Sequence, residues 1–169
     1  MAQDALKQTS VQGLQALHTA AQQGSEAAGE IERAATHPEL KAQLRQGSEA
    51  ARHQAERLNG LFAAVGERPG GTKNEISEGI IAASGRIMRS AGDETTRDAG
   101  IIASGQIALH YHIAAYGTLA AHAKVLGLDE AARTLHEMVE EAREADQRYS
   151  DLAERVINPR ARDQAQAAE

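Results

Sequence analysis

The chain has 169 residues with 18 basic and 24 acidic side chains, a formal net charge of −6 that disfavours a nucleic-acid partner. It contains no cysteine, which excludes disulfides, thiolate metal sites and a thiol nucleophile and suits a reducing compartment. Neither a signal peptide nor an apolar run of the roughly 20 residues needed to cross a bilayer is evident, so we expect a cytoplasmic protein without a membrane partner.

Helix-breaking residues divide the first half of the chain. A long helix is predicted over 4–36, and Pro38 then suits the first turn of a second long helix over 38–66. The Gly- and Pro-rich stretch 66–71 is the strongest break in the sequence. A shorter helix is predicted near 74–90, inside the connection to the second half.

The second half repeats the pattern of two long helices with a tight turn. The third long helix is predicted over 95–126, and a glycine follows it. Asp129 is predicted to cap the start of a fourth helix over 129–157. Pro159 is predicted to end that helix and to leave a polar tail over 159–169.

Two helical hairpins joined by a long crossover are typical of the ferritin-like topology. We therefore predict an all-α chain with one ferritin-like four-helix bundle over 1–158, a short fifth helix in the crossover, and the polar tail beyond. The crossover helix is predicted to pack across an outer surface of the bundle.

Apolar and small residues recur in steps of three and four and predict the inward face of each long helix. The small members are expected to let the helices approach closely. None of these positions carries Asp or Glu, and His112 alone titrates near neutrality. The predicted faces are Leu14, Leu17, Ala21, Gly24, Ala28, Ile31 and Ala35; Leu40, Leu44, Gly47, Ala51, Leu58, Phe62 and Val65; Ile102, Gly105, Leu109, His112, Tyr116, Leu119, Ala123 and Leu126; and Ala131, Leu135, Met138, Ala142, Ala145, Tyr149, Leu152 and Val156.

The segment HYHIAAYGTL (110–119), followed by GLDEAA (127–132), resembles the third and fourth helices of the YciE/YciF-like stress-response proteins of the ferritin-like superfamily. The resemblance runs over nearly the whole chain, and the first of these segments is its most specific part. Further similarity lies in HPELKAQL (37–44), QAERLNGLF (54–62) and EGIIAAS (78–84).

The resemblance implies a di-iron site inside the bundle, held by carboxylates from the four long helices. This chain departs from that pattern at the matching positions. The third helix of the family reads Glu-His-Tyr-Glu, and here the same span is Leu109, His110, Tyr111 and His112. In the fourth helix the ligand position falls near Ala142, with Asp146 one turn on. In the second and first helices the ligand positions fall at Ala50, beside Glu49, and near Ala21.

We therefore expect no ferritin-type di-iron centre and no other cofactor. Aliphatic side chains are expected to close the centre of the bundle around a neutral His112 that is hydrogen-bonded to a Tyr or Ser. The first hypothesis is a stress-associated bundle without catalysis that acts as a structural or interaction protein. It is expected to form a homodimer through the crossover helix or an outer face, and another protein is a further candidate partner.

The second hypothesis is a metal- or cofactor-binding protein or enzyme with an altered site inside the bundle. It expects a cavity at His112, whereas the first hypothesis expects no cavity there. A single divalent metal is the alternative cofactor, although the pair Glu49 and His53 is more typical of a solvated helix face. The candidate catalytic residues are His112 and Tyr116, and the candidate metal ligands are His112, Glu49, His53, Glu141 and Asp146.

Overall fold

In the computed structural model, residues 2–167 are described, and every regular element among them is helical. No helix in this range is both long enough and apolar enough to cross a membrane. The elements in chain order are α1 (Ala2–Ala34), α2 (Pro38–Val65), α3 (Glu75–Ser90), α4 (Glu94–Val125), α5 (Asp129–Leu152), a π-helical turn (Ala153–Ile157) and α6 (Asn158–Ala167).

The four long helices form two hairpins, in which α1 packs along α2 and α4 packs along α5. Contacts of α1 with α4 and of α2 with α5 join the hairpins into one bundle. The crossover helix α3 lies against α4 and α1. The predicted all-α bundle with a fifth helix in the crossover is therefore confirmed.

Local chemistry explains where these helices begin and end. The two hairpin helices α2 and α4 are followed by Gly66 and Gly127, which have φ angles of 71° and 75° and adopt the left-handed conformation that closes a helix. At the start of α4, the Asp93 carboxylate accepts a hydrogen bond from the Thr96 amide at 2.9 Å. Asp129 is the first residue of α5 rather than its cap, and the cap position belongs to Leu128.

Pro159 does not end the last helix, contrary to the sequence prediction. The backbone passes through the π-helical turn Ala153–Ile157 and continues as α6 to Ala167. Pro159 lies in the first turn of α6, where a missing amide hydrogen is tolerated. The predicted tail is therefore helical up to Ala167 and packs on α4, while its last two residues lie outside the described part of the chain.

The apolar core consists of two clusters, one toward each end of the bundle. Large side chains fill both of them. Most of the large apolar residues of the predicted stripes are buried as expected, whereas Ile31, Leu109, Leu126 and Val156 are only half-buried. The largest fully buried members of the first cluster are Tyr116, Phe62, Leu17, Leu58, Leu135 and Met138. Those of the second are Leu40, Ile102 and Leu152.

Between the two clusters the predicted stripes are not fully buried. Gly47 is exposed, and Gly24 is only half-buried. A Cβ atom placed on either glycine would meet no neighbouring atom within 4 Å. The sequence analysis predicted that these glycines let the helices approach closely. That prediction is wrong, because no neighbouring helix lies against them. Large residues fill the clusters toward the two ends of the bundle, and Gly and Ala are too short to fill the space between these clusters.

Candidate functional site

A cavity of about 400 Å³ lies at the middle of the bundle, between the two apolar clusters. The expectation that aliphatic side chains close this region is therefore wrong, and the cavity borders His112, as the second hypothesis required. All four long helices and α3 contribute to its wall. The small residues that line it are Gly24, Ala27, Ala28, Gly47, Ala50, Ala51, Gly105, Ala108, Ala142 and Ala145.

His112 lines this cavity, and its ring lies near two tyrosines. It stacks on Tyr116 with centroids 5.6 Å apart, and its centroid lies 5.4 Å from that of Tyr111. Burial lowers the pKa of His112 to about 4, so the imidazole is neutral at pH 7. The expected hydrogen bond to a Tyr or Ser is absent, since none of the hydrogen bonds among the described residues involves this ring.

Tyr116 links His112 to α2. Its hydroxyl donates a hydrogen bond to the Gln54 Oε1 atom at 3.2 Å, and both side chains are buried. Desolvation by burial raises the pKa of Tyr116, so the phenol stays protonated and remains a donor. Tyr116, a candidate from the sequence, thus acts here as the support of the His112 ring.

Gln54 also lines the cavity, and the sequence analysis missed it. The predicted stripe of α2 passes from Ala51 to Leu58 and leaves out the intermediate helical turn. A step of three residues from Ala51 reaches Gln54, so the gap in the stripe was the available signal. Its polar side chain faces the bundle interior where an apolar residue would continue the pattern.

The entrance to the cavity lies between α2 and α5, because the exposed residues of its lining come from these two helices. Glu141 is one of them, and Arg57 of α2 donates to its Oε1 atom at 2.6 Å. The same guanidinium donates to Glu137 at 2.9 Å. Glu141 is therefore already paired with a cation at the rim, and Glu144 and Arg148 complete the charged entrance.

The structure does not bring the alternative metal ligands together. Glu49 is exposed on α2, and the exposed ring of His53 lies 3.9 Å from Glu56. Asp146 lies 3.3 Å from the Nε2 atom of His110, away from the cavity lining. Among the candidate metal ligands, which all lie in the described part of the chain, only Glu141 lines the cavity together with His112. In the part of the chain that the structure describes, no group of three or more His, Asp or Glu residues could hold a metal ion.

The cavity does not fit the di-iron centre that the resemblance implied. Among the matching positions, Leu109, Ala142 and Ala50 line the cavity with aliphatic groups, and His112 lines it with an imidazole. Ala21 is fully buried. A pair of iron ions needs several oxygen ligands whose negative charge offsets its own. The cavity offers one neutral imidazole and two carboxylates at its exposed entrance, of which Glu141 is paired with Arg57.

A second polar site, centred on Asp98, was also missed. The Asp98 side chain is 2% exposed, and its carboxylate accepts hydrogen bonds from the Thr36 and His37 amides, each at 2.8 Å. The Thr36 hydroxyl donates to it at 2.6 Å. Asp98 thus ties the turn between α1 and α2 to α4. It lies one helical turn before Ile102, so extending the predicted stripe by four residues would have found it.

Comparison with protein families gives the decisive observation on identity. Residues 5–162 match a family described as "Domain of unknown function (DUF892)". The chain belongs to the DUF892 family. This DUF892 chain is 40% identical over 88 residues to Protein YciF of Escherichia coli strain K12. The alignment covers 52% of this chain and 53% of YciF. The aligned stretch thus spans about half the length of this curated relative.

Solved structures extend the similarity to nearly all of this DUF892 member. The crystal structure of the E. coli stress protein YciF matches with a TM-score of 0.86 at 29% identity, covering 90% of this chain and 97% of that chain. YcfI from Rhodopseudomonas palustris, named as a candidate structural protein, matches with a TM-score of 0.83 at 31% identity, covering 86% and 92%. The resemblance to YciF-like stress proteins is confirmed.

Proposed function

We propose that this DUF892 member is a stress-associated helical bundle that has lost a ferritin-type di-iron centre and acts without catalysis, as a structural or interaction protein. The observation that carries the proposal is the chemistry of the cavity lining. Where carboxylates would hold metal, the chain presents Leu109, Ala142 and Ala50, and the single imidazole, His112, is neutral. Burying two metal charges against such a wall would be strongly unfavourable.

The relatives support the same proposal. YciF is named a stress protein, and YcfI is named a candidate structural protein. Both names are compatible with a role in which the bundle contacts a partner rather than transforms a substrate. A cytoplasmic location and the absence of a nucleic-acid partner belong to the proposal, since the chain lacks cysteine and carries a net charge of −6.

A homodimer formed through the outer face of α3 and α4 is part of this proposal. Ile76 of α3 and Ile107 of α4 are 60% and 58% exposed, which is unusual for large apolar side chains. They border a groove of about 270 Å³ between the two helices. The groove is lined otherwise by Glu75, Gly79, Ile80, Ala83, Ile87 and Ser104. An identical face on a second copy would cover these isoleucines.

Thermal unfolding in the presence of metal ions tests the loss of the metal centre. A bound ion stabilises the folded state by RT ln(1 + [L]/Kd), which is about 2.7 kcal/mol at a hundredfold excess over Kd. We expect no rise in Tm with Fe²⁺, Mn²⁺ or Zn²⁺. A rise that disappears in His112→Ala, but persists in the exposed control Glu49→Ala, would instead establish an altered metal site.

The cavity itself favours a second function, the binding of a small organic molecule inside the bundle. A space of about 400 Å³ is within the usual range for ligand pockets, roughly 300 to 1,000 Å³. This function needs no metal and is compatible with a bundle that also contacts a protein partner.

A further inference from the structure

We propose that the central cavity binds an uncharged, flat aromatic molecule of two or three rings that carries a hydrogen-bond acceptor such as a carbonyl oxygen. The inference rests on the second function proposed above, the binding of a small organic molecule, and it does not depend on the proposed dimer. Three properties of the cavity define this class of ligand: its size, its lack of interior charge, and one side-chain amide nitrogen that makes no hydrogen bond among the described residues.

The size of the cavity sets the number of rings. An apolar cavity of about 150 Å³ accommodates one benzene molecule. The volume here is about 400 Å³, so two or three fused or linked rings match it. Aliphatic side chains from the second apolar cluster and from α3 provide much of the wall, and they are Ile31, Leu44, Ile80, Ile81, Ile101 and Leu109.

The polar groups of the lining argue for a ligand without charge. The hydroxyls of Ser84 and Ser104 donate to the carbonyl oxygens of Ile80 and Gly100 within their own helices. Burial lowers the pKa of His112 and keeps its ring neutral. The charged side chains stand at the entrance, where they are exposed. A charged ligand would lose its hydration inside and find no counter-ion there.

The unpartnered donor is the side-chain amide nitrogen of Gln54. Gln54 is only 9% exposed and lines the cavity. Its Oε1 atom accepts the Tyr116 hydroxyl, which fixes the orientation of the amide. No hydrogen bond among the described residues uses the Nε2 atom. The amide nitrogen is therefore free to donate, and an acceptor on the ligand would find a donor at this position.

The shape of the wall favours a flat ligand. The ring of His112 is stacked on Tyr116 and borders the cavity, so it offers an aromatic surface for offset stacking. The ring of Tyr149 lies over Gly105 toward the other end, where an added Cβ would come within 3.4 Å of it. Both rings line the same space, at opposite sides of the small residues.

The test uses 6-propionyl-2-(dimethylamino)naphthalene, a neutral naphthalene ketone whose emission shifts to the blue in apolar surroundings. We expect saturable binding to the full chain at one molecule per chain, with blue-shifted emission. The anionic probe 1-anilinonaphthalene-8-sulfonate is expected to bind at least tenfold more weakly. Absence of saturable binding of the ketone, or tighter binding of the sulfonate, would overturn the proposal.

Two pairs of matched variants locate the binding. Gly24→Leu and Gly47→Leu place a side chain in the cavity, whereas Gly29→Leu and Gly60→Leu make the same change elsewhere on α1 and α2. At all four positions an added Cβ meets no atom within 4 Å, so each variant can fold, which circular dichroism verifies. We expect a loss of affinity of at least tenfold in the first two variants only. Equal affinity in all four would place the probe elsewhere and refute the site.

The role of Gln54 is tested with the probe rather than with the protein, because replacing Gln54 would also free the Tyr116 hydroxyl. An analogue in which an alkyl chain replaces the propionyl group lacks the acceptor oxygen. We expect it to bind at least fivefold more weakly to the unmodified chain. Equal affinity would contradict a hydrogen bond from Gln54. These outcomes are independent of the metal titration, which tests the lost di-iron centre.

Discussion

The imidazole of His112 lies on the ring of Tyr116, with ring centroids 5.6 Å apart and ring planes within 19° of parallel. The two residues are four apart on α4 and therefore share one face of the helix. Tyr116 in turn donates its hydroxyl to Gln54 of α2. This chain of contacts places a neutral aromatic wall at the centre of the bundle, where the family resemblance had implied negatively charged ligands.

Replacement of His112 by Phe is expected to change how stability depends on pH. Burial lowers the pKa of His112 to about 4, below the ordinary value of 6.5. Between these values the unfolded chain takes up a proton that the folded chain excludes, so the free energy of unfolding falls as the pH is lowered from 7 to 4. The loss is roughly 2 to 3 kcal/mol for this shift.

Urea unfolding at pH 7 and pH 4.5 measures this effect. His112→Phe retains the stacking on Tyr116 and is expected to lose most of the pH dependence between these two values. His53→Phe is the matched control, because the His53 side chain is 82% exposed. If His112→Phe kept the full pH dependence, the neutral buried state of this ring would be wrong.

Removal of the Asp98 carboxylate is expected to destabilise the fold without affecting the cavity. Asp98→Ala leaves the partly buried amides of Thr36 and His37 without their acceptor. We expect the free energy of unfolding to fall by about 3 kcal/mol, as for other buried groups that lose a charged partner. The exposed carboxylate control Glu49→Ala is expected to change it by less than about 0.5 kcal/mol. If denaturant unfolding gave a change for Asp98→Ala as small as that of the control, the carboxylate would not be needed to stabilise the turn between α1 and α2.

The helical elements could be predicted well from the sequence because single residues determine most of the helix boundaries. Pro38, Gly66 and Gly127 each impose a backbone conformation that hardly depends on the rest of the fold. Pro159 was misread because a π-helical turn precedes it, and the start of α6 then needs no amide hydrogen at that position. Local chemistry does not reveal such a change of helical pitch.

The cavity could not be predicted from the stripes alone. Periodicity shows which residues face inward, but it does not give the distance between the helices. Gly24 and Gly47 lie on the predicted faces, yet a Cβ atom added to either would meet no atom within 4 Å. The larger apolar residues lie in the two clusters toward the ends of the bundle. The departure from the metal-ligand pattern of the family, by contrast, can be read directly from the sequence, which has Leu109 and Ala142 where carboxylates are expected.

Substitution of alanine for two helical glycines should have opposite effects on stability. Gly24→Ala adds a methyl group that meets no neighbour, so the gain in helix propensity is expected to raise stability by up to about 1 kcal/mol. Gly100→Ala would place its methyl group against the Ile87 side chain of α3. We expect the free energy of unfolding of Gly100→Ala to fall by about 1 to 3 kcal/mol. Thermal unfolding of both variants checks the pair, and stabilisation by Gly100→Ala would contradict the packing of α3 on α4.

A charge on the outer face of α4 is expected to separate the proposed dimer. Ile107→Lys should shift the mass measured by light scattering after size-exclusion chromatography from two chains to one. The control Val125→Lys alters another exposed apolar residue of the same helix, 69% exposed, and should leave the mass at two chains. A dimer that survives Ile107→Lys would rule out this face as the interface.

Elemental analysis of the protein after anaerobic incubation with ferrous or manganous ions, followed by removal of unbound metal, tests the central claim most directly. With aliphatic groups at the matching positions, the account predicts no iron or manganese above background. Two iron or manganese ions retained per chain would contradict it.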